Sequence, residues 1–512
     1  MTSPAIIANR KIAACYLLIL LAAGALYIFT CAPTIVWHDS ALFTWRIWNN
    51  DIEGDIGIAL AHPLYILIGI ALKYIPLGTF EYRLNLFSAV CGAIAVANVF
   101  LLLRLWLKSF RAGVIAAITL SVSWTFWQHA AIVEVYTFYA AQMLTELIVL
   151  LLFLRSRKIS YLYLLAFLNG LSLANHDWAL FCTACYAVML IVMLCRKEIK
   201  FAKIIAVPFI FAVGAAPYVY LMILDFMRTS NLSATINSAL FGTLWRGDVT
   251  NTSISGKLIL ENLLFIFLNF ATPNIVFGSV GIWYLIKCRA DRYFQVLILV
   301  LGFMYLGFAF RYQVVDRYAF FLPFYCYGAI FIGIGANVFM QRVRKSAWLY
   351  FIVIFAFLPA GVYCFTPETG RRFYPSLGQR RQLPYKDPYK YFLQPWKTGY
   401  RGAEKFAYES LDTVCQDGVF WVDSTVVHLV LYIQQAYNYR QDVQVTSRYY
   451  RGNNAPVLDE PTLKNYINES AVYVVSPVKG YCPDFMLENY DFQQIWPIYK
   501  VMPENLNYQS QE

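Results

Sequence analysis

The chain has 512 residues, of which 59% are hydrophobic, 18% aromatic and only 14% charged, whereas a soluble domain of this size carries roughly a quarter charged residues. Its net charge of +11 arises in residues 1–365, which hold 26 Lys or Arg against 14 Asp or Glu; residues 366–512 hold 15 and 16. The basic surplus therefore lies between apolar runs of bilayer-crossing length, about 20 residues each, where it sets orientation and excludes nucleic acid as a partner.

In chain order, spans are predicted near 12–31, 84–107, 112–130, 134–154, 160–175, 177–195, 202–224, 262–286, 293–311, 318–341 and 346–365. Basic clusters mark alternate ends. They are Arg10 and Lys11; Arg104, Lys108 and Arg111; Arg155, Arg157 and Lys158; Arg196, Lys197, Lys200 and Lys203; Lys287, Arg289 and Arg292; and Arg342, Arg344 and Lys345. These make 18 of the 26 basic residues before position 366. The positive-inside rule puts this side in the cytoplasm, with the amino terminus inside and the carboxy-terminal segment outside. The apolar stretch His62–Pro76 contains Lys73, and counting it as a span would invert every later loop. It is read as a helix in the outer interface or tucked against the bundle. The first span is read as retained, because it is longer than a signal core and further spans follow.

The expected fold is an α-helical polytopic membrane protein of about eleven transmembrane helices, residues 1–365, with its first external loop at 32–81. A Pro-rich linker, 366–398, leads to a small extracytoplasmic α/β domain, 399–512. In that domain helices are predicted at 400–413 and 425–438, and strands at 418–423, 442–446 and 471–476. Cys182 and Cys185 have CxxC spacing but lie mid-span without a second pair, which argues against metal. Cys415 and Cys482 could form a disulfide across the external segment.

Ionisable groups gather at the outer ends of spans and in the outer loops: His38, Asp39, His62, Arg83, His129, Glu134, His176, Asp177, Arg311, Asp316 and Arg317. The midplane is nearly free of charge, Glu146 being the main exception. A transporter would place its coupling residues at the midplane; an enzyme acting on a lipid headgroup would place them at an interface. Asp39, in Trp37-His38-Asp39-Ser40, is positioned as a general base for an acceptor hydroxyl, or as a simple cap of the helix that follows. Arg311 and Arg317 could bind a phosphate, or could snorkel or pair with Asp316. The acidic run Asp51, Glu53 and Asp55 could hold a divalent cation, although a solvated face is the simpler reading and no cofactor is expected.

The ordered motifs His38-Asp39-Ser40, Ala61–Tyr65, Tyr82–Ala89, Phe126–Tyr136, Gly170–His176 and Asp316–Pro323 resemble those of the bacterial relatives of the eukaryotic transmembrane-protein-type O-mannosyltransferase, in the GT-C superfamily. That resemblance implies a helical membrane fold with a catalytic aspartate in the first external loop. It also implies a polyprenyl- or dolichyl-phosphate sugar donor, a hexose such as mannose, and inversion at the anomeric carbon. Carried onto this chain, Asp39 would be the base, with Glu134 a second catalytic residue. His62, Glu134 and His176 would line the site, Arg83, Arg311 and Arg317 would be candidates for the donor phosphate, and His38, Asp177 and Asp316 would complete the substrate-binding residues. The family's first loop usually carries a further acidic residue; here the chain reads Asp39-Ser40-Ala41-Leu42, so Asp39 lacks that partner. The acceptor would be a protein or glycan outside the cytoplasm, in a bacterial plasma membrane or, in a eukaryote, the endoplasmic reticulum. The alternative is a non-catalytic protein that binds or transports a lipid-linked sugar.

Overall fold

The computed structural model describes residues 10–288, 290–343, 347–377, 383–447 and 460–502. Six helices are long and apolar enough to cross a membrane, and three helix pairs bent at short breaks raise this to as many as nine. Helices Ile159–Asn175 and Ala179–Cys195 are apolar and slightly shorter. Together these eleven units coincide with the expected spans. Helix Pro63–Leu72 is short, and its proline at the first turn and preceding His62 fix where it starts.

The breaks follow from local chemistry. Helices Phe201–Gly214 and Ala216–Thr229 meet at 74°, where Pro217 cannot continue the preceding helix. At the same corner Gly170 and Gly214 lie backbone to backbone. A Cβ on either would stand 2.2 Å from a carbonyl oxygen of the other helix, so small residues permit the close crossing. The break between helices Phe110–Ser121 and Trp124–Ala130 is braced by Asn269. Its carbonyl accepts from Ser123 Oγ at 2.7 Å and Thr125 N at 2.8 Å, satisfying groups that the bend frees. At the basic end of the bundle, Arg155 donates to the carbonyls of Leu105 and Trp106, the last turn of helix Phe80–Leu107, and pairs with Asp291.

Two parts of the segment read as a linker are ordered. Helix Ala347–Phe373 continues beyond residue 365. Helix Pro388–Leu393, capped by Asp387 through the amides of Tyr389 and Lys390, then lies against the bundle. Trp124 Nε1 donates to Phe392 O at 3.2 Å, Lys397 N to Thr30 O at 2.7 Å, and Trp37 Nε1 to Tyr400 OH at 2.5 Å. The segment is a strap across the end of the bundle that is opposite the basic clusters.

The C-terminal domain has a five-stranded sheet in the order β2-β1-β3-β5-β4. Its strands are β1 (Val419–Trp421), β2 (Gln444–Thr446), β3 (Val472–Val474), β4 (Phe492–Ile495) and β5 (Ile498–Val501). Strand β1 runs parallel to β2 and β3, while β5 is antiparallel to β3 and β4. Helices Gly402–Thr413 and Val427–Tyr437 fall where expected. Helices Glu460–Glu469 and Asp484–Asn489 and the β4–β5 hairpin lie outside the elements expected from the sequence, being short runs of mixed polarity. Cys415 and Cys482 are both free thiols, so the possible disulfide is absent.

Helix Val427–Tyr437 docks on the first-loop helix Asp39–Trp48. Trp45 Nε1 donates to Gln435 Oε1 at 2.9 Å, and the Trp45 ring lies 5.2 Å from that of His428. Tyr432 and Tyr437 both donate to Glu81 Oε1 at the start of helix Phe80–Leu107. The C-terminal domain thus braces the element that carries Asp39.

Candidate active site

His38 begins the site. It sits at φ 60°, ψ −131°, and its amide donates to Thr425 O of the C-terminal domain at 3.3 Å. This turn sets the direction of helix Asp39–Trp48. Asp39 occupies the first turn rather than the cap, which is His38 and makes no side-chain cap bond; the simple capping reading is corrected accordingly. The carboxylate still lies at the positive end of the helix dipole, and Asp39 as a residue is half-buried.

Two further carboxylates come to it from distant segments. Ser40 Oγ donates to Val133 O at 2.8 Å, tying the first-loop helix to the strand-like turn that holds Glu134. Glu134 is buried, and its Oε2 has no hydrogen-bond partner. Asp316 comes from the turn after helix Arg292–Arg311, where Ala319 N closes onto its carbonyl at 2.9 Å. Burial raises Asp39. Burial, then the field of Asp39, pushes Asp316 to about 7. Burial, then Asp39 and Asp316, lifts Glu134 well above the ordinary range. The Tyr318 hydroxyl is raised by burial and then by the fields of all three carboxylates. Like charges that feel one another in a poorly solvated region do not all ionise together at neutral pH. Such a group can hold a charged carboxylate together with protonated ones.

The histidines form a second cluster. His62, at φ 48° and ψ 49°, has Nδ1 2.6 Å from Asn175 O, so that nitrogen carries the proton and Nε2 is left as acceptor. Burial and then neighbouring His176 hold it well below the ordinary imidazole range. The His62 and His176 rings are 5.1 Å apart, and His176 stacks on Trp178 at 4.1 Å. His176 Nδ1 is 2.7 Å from Asp177. Tyr136 packs on His176, His129 and Trp178, linking this cluster to the turn before it. Tyr312, whose hydroxyl is raised by burial and then by Asp177 and Asp316, lies between the two clusters.

The arginines are engaged with protein groups. Arg83 donates to the carbonyls of Lys73 and Ile75, closing the turn after helix Pro63–Leu72. Arg311 donates to Val249 O and Asn251 O. Arg317, buried, pairs with Glu261 and Asn262 and lies over Phe265; its partner is Glu261 rather than adjacent Asp316. In the acidic run, Asp51 pairs with Arg46 at 3.4 Å and Glu53 with Arg228.

Sequence reasoning passed over Tyr318 and the strap residues Lys386, Tyr391 and Lys397. The strap reads Asp387-Pro-Tyr-Lys-Tyr-Phe-Leu-Gln-Pro-Trp-Lys397. Its interleaved aromatic and basic residues were the available signal, but the prolines made it look like a spacer.

Residues 60–200 match the N-terminal domain of the protein O-mannosyl-transferase TMEM260. Over 214 residues the chain is 28% identical to the protein O-mannosyl-transferase TMEM260 of Mus musculus, covering 37% of this chain and 29% of that protein. The chain therefore spans less than a third of the curated relative it matches. The fold matches ArnT from Cupriavidus metallidurans bound to undecaprenyl phosphate, with TM-score 0.63 at 11% identity, over 95% of this chain and 97% of that one. It matches apo ArnT with TM-score 0.62, also at 11% identity, over 96% and 98%. Residues 60–200 are thus similar to an O-mannosyl-transferase N-terminal domain, the fold as a whole is like that of ArnT, and the chain is an integral, multi-pass membrane protein.

Proposed function

We propose that this chain is a membrane glycosyltransferase. It transfers a sugar, a hexose such as mannose, from a polyprenyl- or dolichyl-phosphate carrier to a protein or glycan acceptor, with inversion and with Asp39 as the general base. What supports this reading is the tie between the first-loop helix and the Glu134 turn, Ser40 Oγ to Val133 O at 2.8 Å, with Asp316 in the field of Asp39 and Glu134 in the fields of both. By the positive-inside rule these residues face away from the cytoplasm, in a bacterial plasma membrane or a eukaryotic endoplasmic reticulum.

In this reaction the acceptor oxygen bonds to the anomeric carbon as its proton passes to Asp39. The bond from that carbon to the phosphate oxygen breaks, and its electron pair leaves on the lipid phosphate. The transition state has oxocarbenium character. A carboxylate with a pKa raised by burial is a stronger base than one in water, while its protonated neighbours can donate to the sugar hydroxyls. Glu134 and Asp316 are assigned that second role. His38, His62, His176 and Asp177 are assigned to the sugar and acceptor side. Arg83, Arg311 and Arg317 hold the surrounding loops through their bonds to protein groups, and their remaining guanidinium donors are assigned to the donor phosphate. The test is Asp39→Asn assayed in membranes for transfer from a lipid-phosphate sugar. Activity should be lost at unchanged protein level, and full activity in this variant refutes the mechanism.

A further inference from the structure

The strap brings two ammonium groups to one aromatic ring beside the catalytic candidate. Lys386 Nζ lies 4.8 Å and Lys397 Nζ 5.0 Å from the centre of the Tyr391 ring. Lys386 Nζ also stands 5.6 Å from the Trp37 ring centre and 3.4 Å from Nε2 of His38, the residue that precedes Asp39. Through His38, the neighbour of Asp39 in the chain, the cationic pair adjoins the first-loop helix that bears the catalytic candidate.

Lys397 is not placed there by an ordinary ion pair. It is only 3% exposed. Among the described residues its Nζ donates to Gln394 O at 2.8 Å and meets the Tyr391 ring, and no carboxylate lies within 4 Å. An ammonium has three donors, and burying one without an anion is costly. A second ammonium nearby raises that cost: burial, then Lys386, lowers Lys397 to about 7. Cation–π contact offsets part of it. A structural anchor would be served by one lysine, or by a methionine against the same ring. Two ammonium groups against one ring suit a phosphate, which carries one negative charge in the sugar-bearing diester and a second once the sugar has left.

Resting on the glycosyl-transfer reading above, we propose that Lys386 and Lys397, on the strap, bind the phosphate of the lipid carrier beside His38. The chemistry recognised is a phosphate monoester or diester, held by point charges. When the sugar–phosphate bond breaks, the leaving oxygen gains negative charge next to these two donors, which stabilise it.

The experiment measures binding of undecaprenyl phosphate to the purified full-length protein in nanodiscs by native mass spectrometry. It compares the parent, Asp39→Asn, Lys386→Met, Lys397→Met and the double lysine variant. The parent and Asp39→Asn should bind alike, and the double variant should lose about tenfold or more in affinity, a difference well outside scatter in such measurements. Undecaprenol, which lacks the phosphate, should not discriminate among the variants. Parent-like binding by the folded double variant overturns the assignment while leaving the reaction reading intact. Equal loss of undecaprenol binding also overturns it, since the lysines would then serve the tail or the fold. Failure of the parent itself to bind the lipid phosphate removes both readings. Inorganic phosphate binding as tightly as the lipid would move the ligand from a lipid headgroup to free phosphate and overturn the lipid assignment. Should Lys397→Met not fold, Lys386→Met against Lys386→Arg reads the same site, the arginine retaining binding and the methionine losing it.

Discussion

Asp316 lies in the electric field of Asp39, although one is set in the turn before the last two long helices and the other in the first loop. Glu134 lies in the fields of both, and each ionisation opposes the next. This pairing makes specific demands on the pH behaviour of the protein.

Asp316→Asn replaces a proton donor that titrates at about 7 with an amide that cannot ionise. In that variant the alkaline limb of the transfer rate against pH, set by loss of the Asp316 proton, should disappear or move to higher pH, while the acidic limb stays in place. An alkaline limb left unchanged removes Asp316 from the donor role. Stability should respond in the opposite sense to a salt-bridged carboxylate. With native values raised above the unfolded one of 3.8, and Asp316 at about 7, the native state holds more protons than the unfolded state between about pH 4 and 7. Stability is therefore greatest at the acidic end of that window and falls as pH rises through it. Thermal unfolding in detergent should show this slope, and Asp316→Asn should flatten it.

The C-terminal domain is held to the bundle through Glu81, which is buried and accepts from both Tyr432 and Tyr437. Tyr432→Phe should lower stability by about 1–3 kcal/mol, the range for losing a hydrogen bond to a charged group. It should also reduce transfer, because helix Val427–Tyr437 braces the helix that bears Asp39. A variant with normal activity and an undiminished melting temperature would show that the domain is merely tethered.

Arg317 separates a structural from a phosphate-binding role. It is buried against Glu261, Asn262 and the Phe265 ring. Breaking a buried pair by removing one partner typically costs about 3–5 kcal/mol, so Arg317→Met should reduce folded yield sharply. Pairing it with Glu261→Gln should restore much of that yield, since no uncompensated charge remains. If the double variant folds yet shows a KM for the lipid donor raised about tenfold or more, a change of roughly 1.4 kcal/mol, the guanidinium contacts the donor. An unchanged KM assigns it to the loop alone.

Much of this architecture is written in local pattern. Apolar length and the alternation of basic clusters located all eleven helical units, because bilayer thickness and loop charge act on neighbouring residues and need no tertiary information. The order of motifs from His38 to His176 pointed to the same likeness that residues 60–200 show to an O-mannosyl-transferase domain, and Asp39 drew notice by its place just after the first span. What the tertiary structure alone decided is which charges meet. The partner of Asp39 was sought in its own loop, but Glu134 and Asp316, in other turns, are the carboxylates that lie in its field, brought there by helix packing that no spacing encodes. Arg317 could pair with Asp316 by sequence, yet folding gives it Glu261. The strap looked like a spacer because its prolines break periodicity, and its two lysines acquire meaning only when Tyr391 is seated beside Trp37. Electrostatic coupling depends on distance and burial in three dimensions, and these are set when the chain closes on itself.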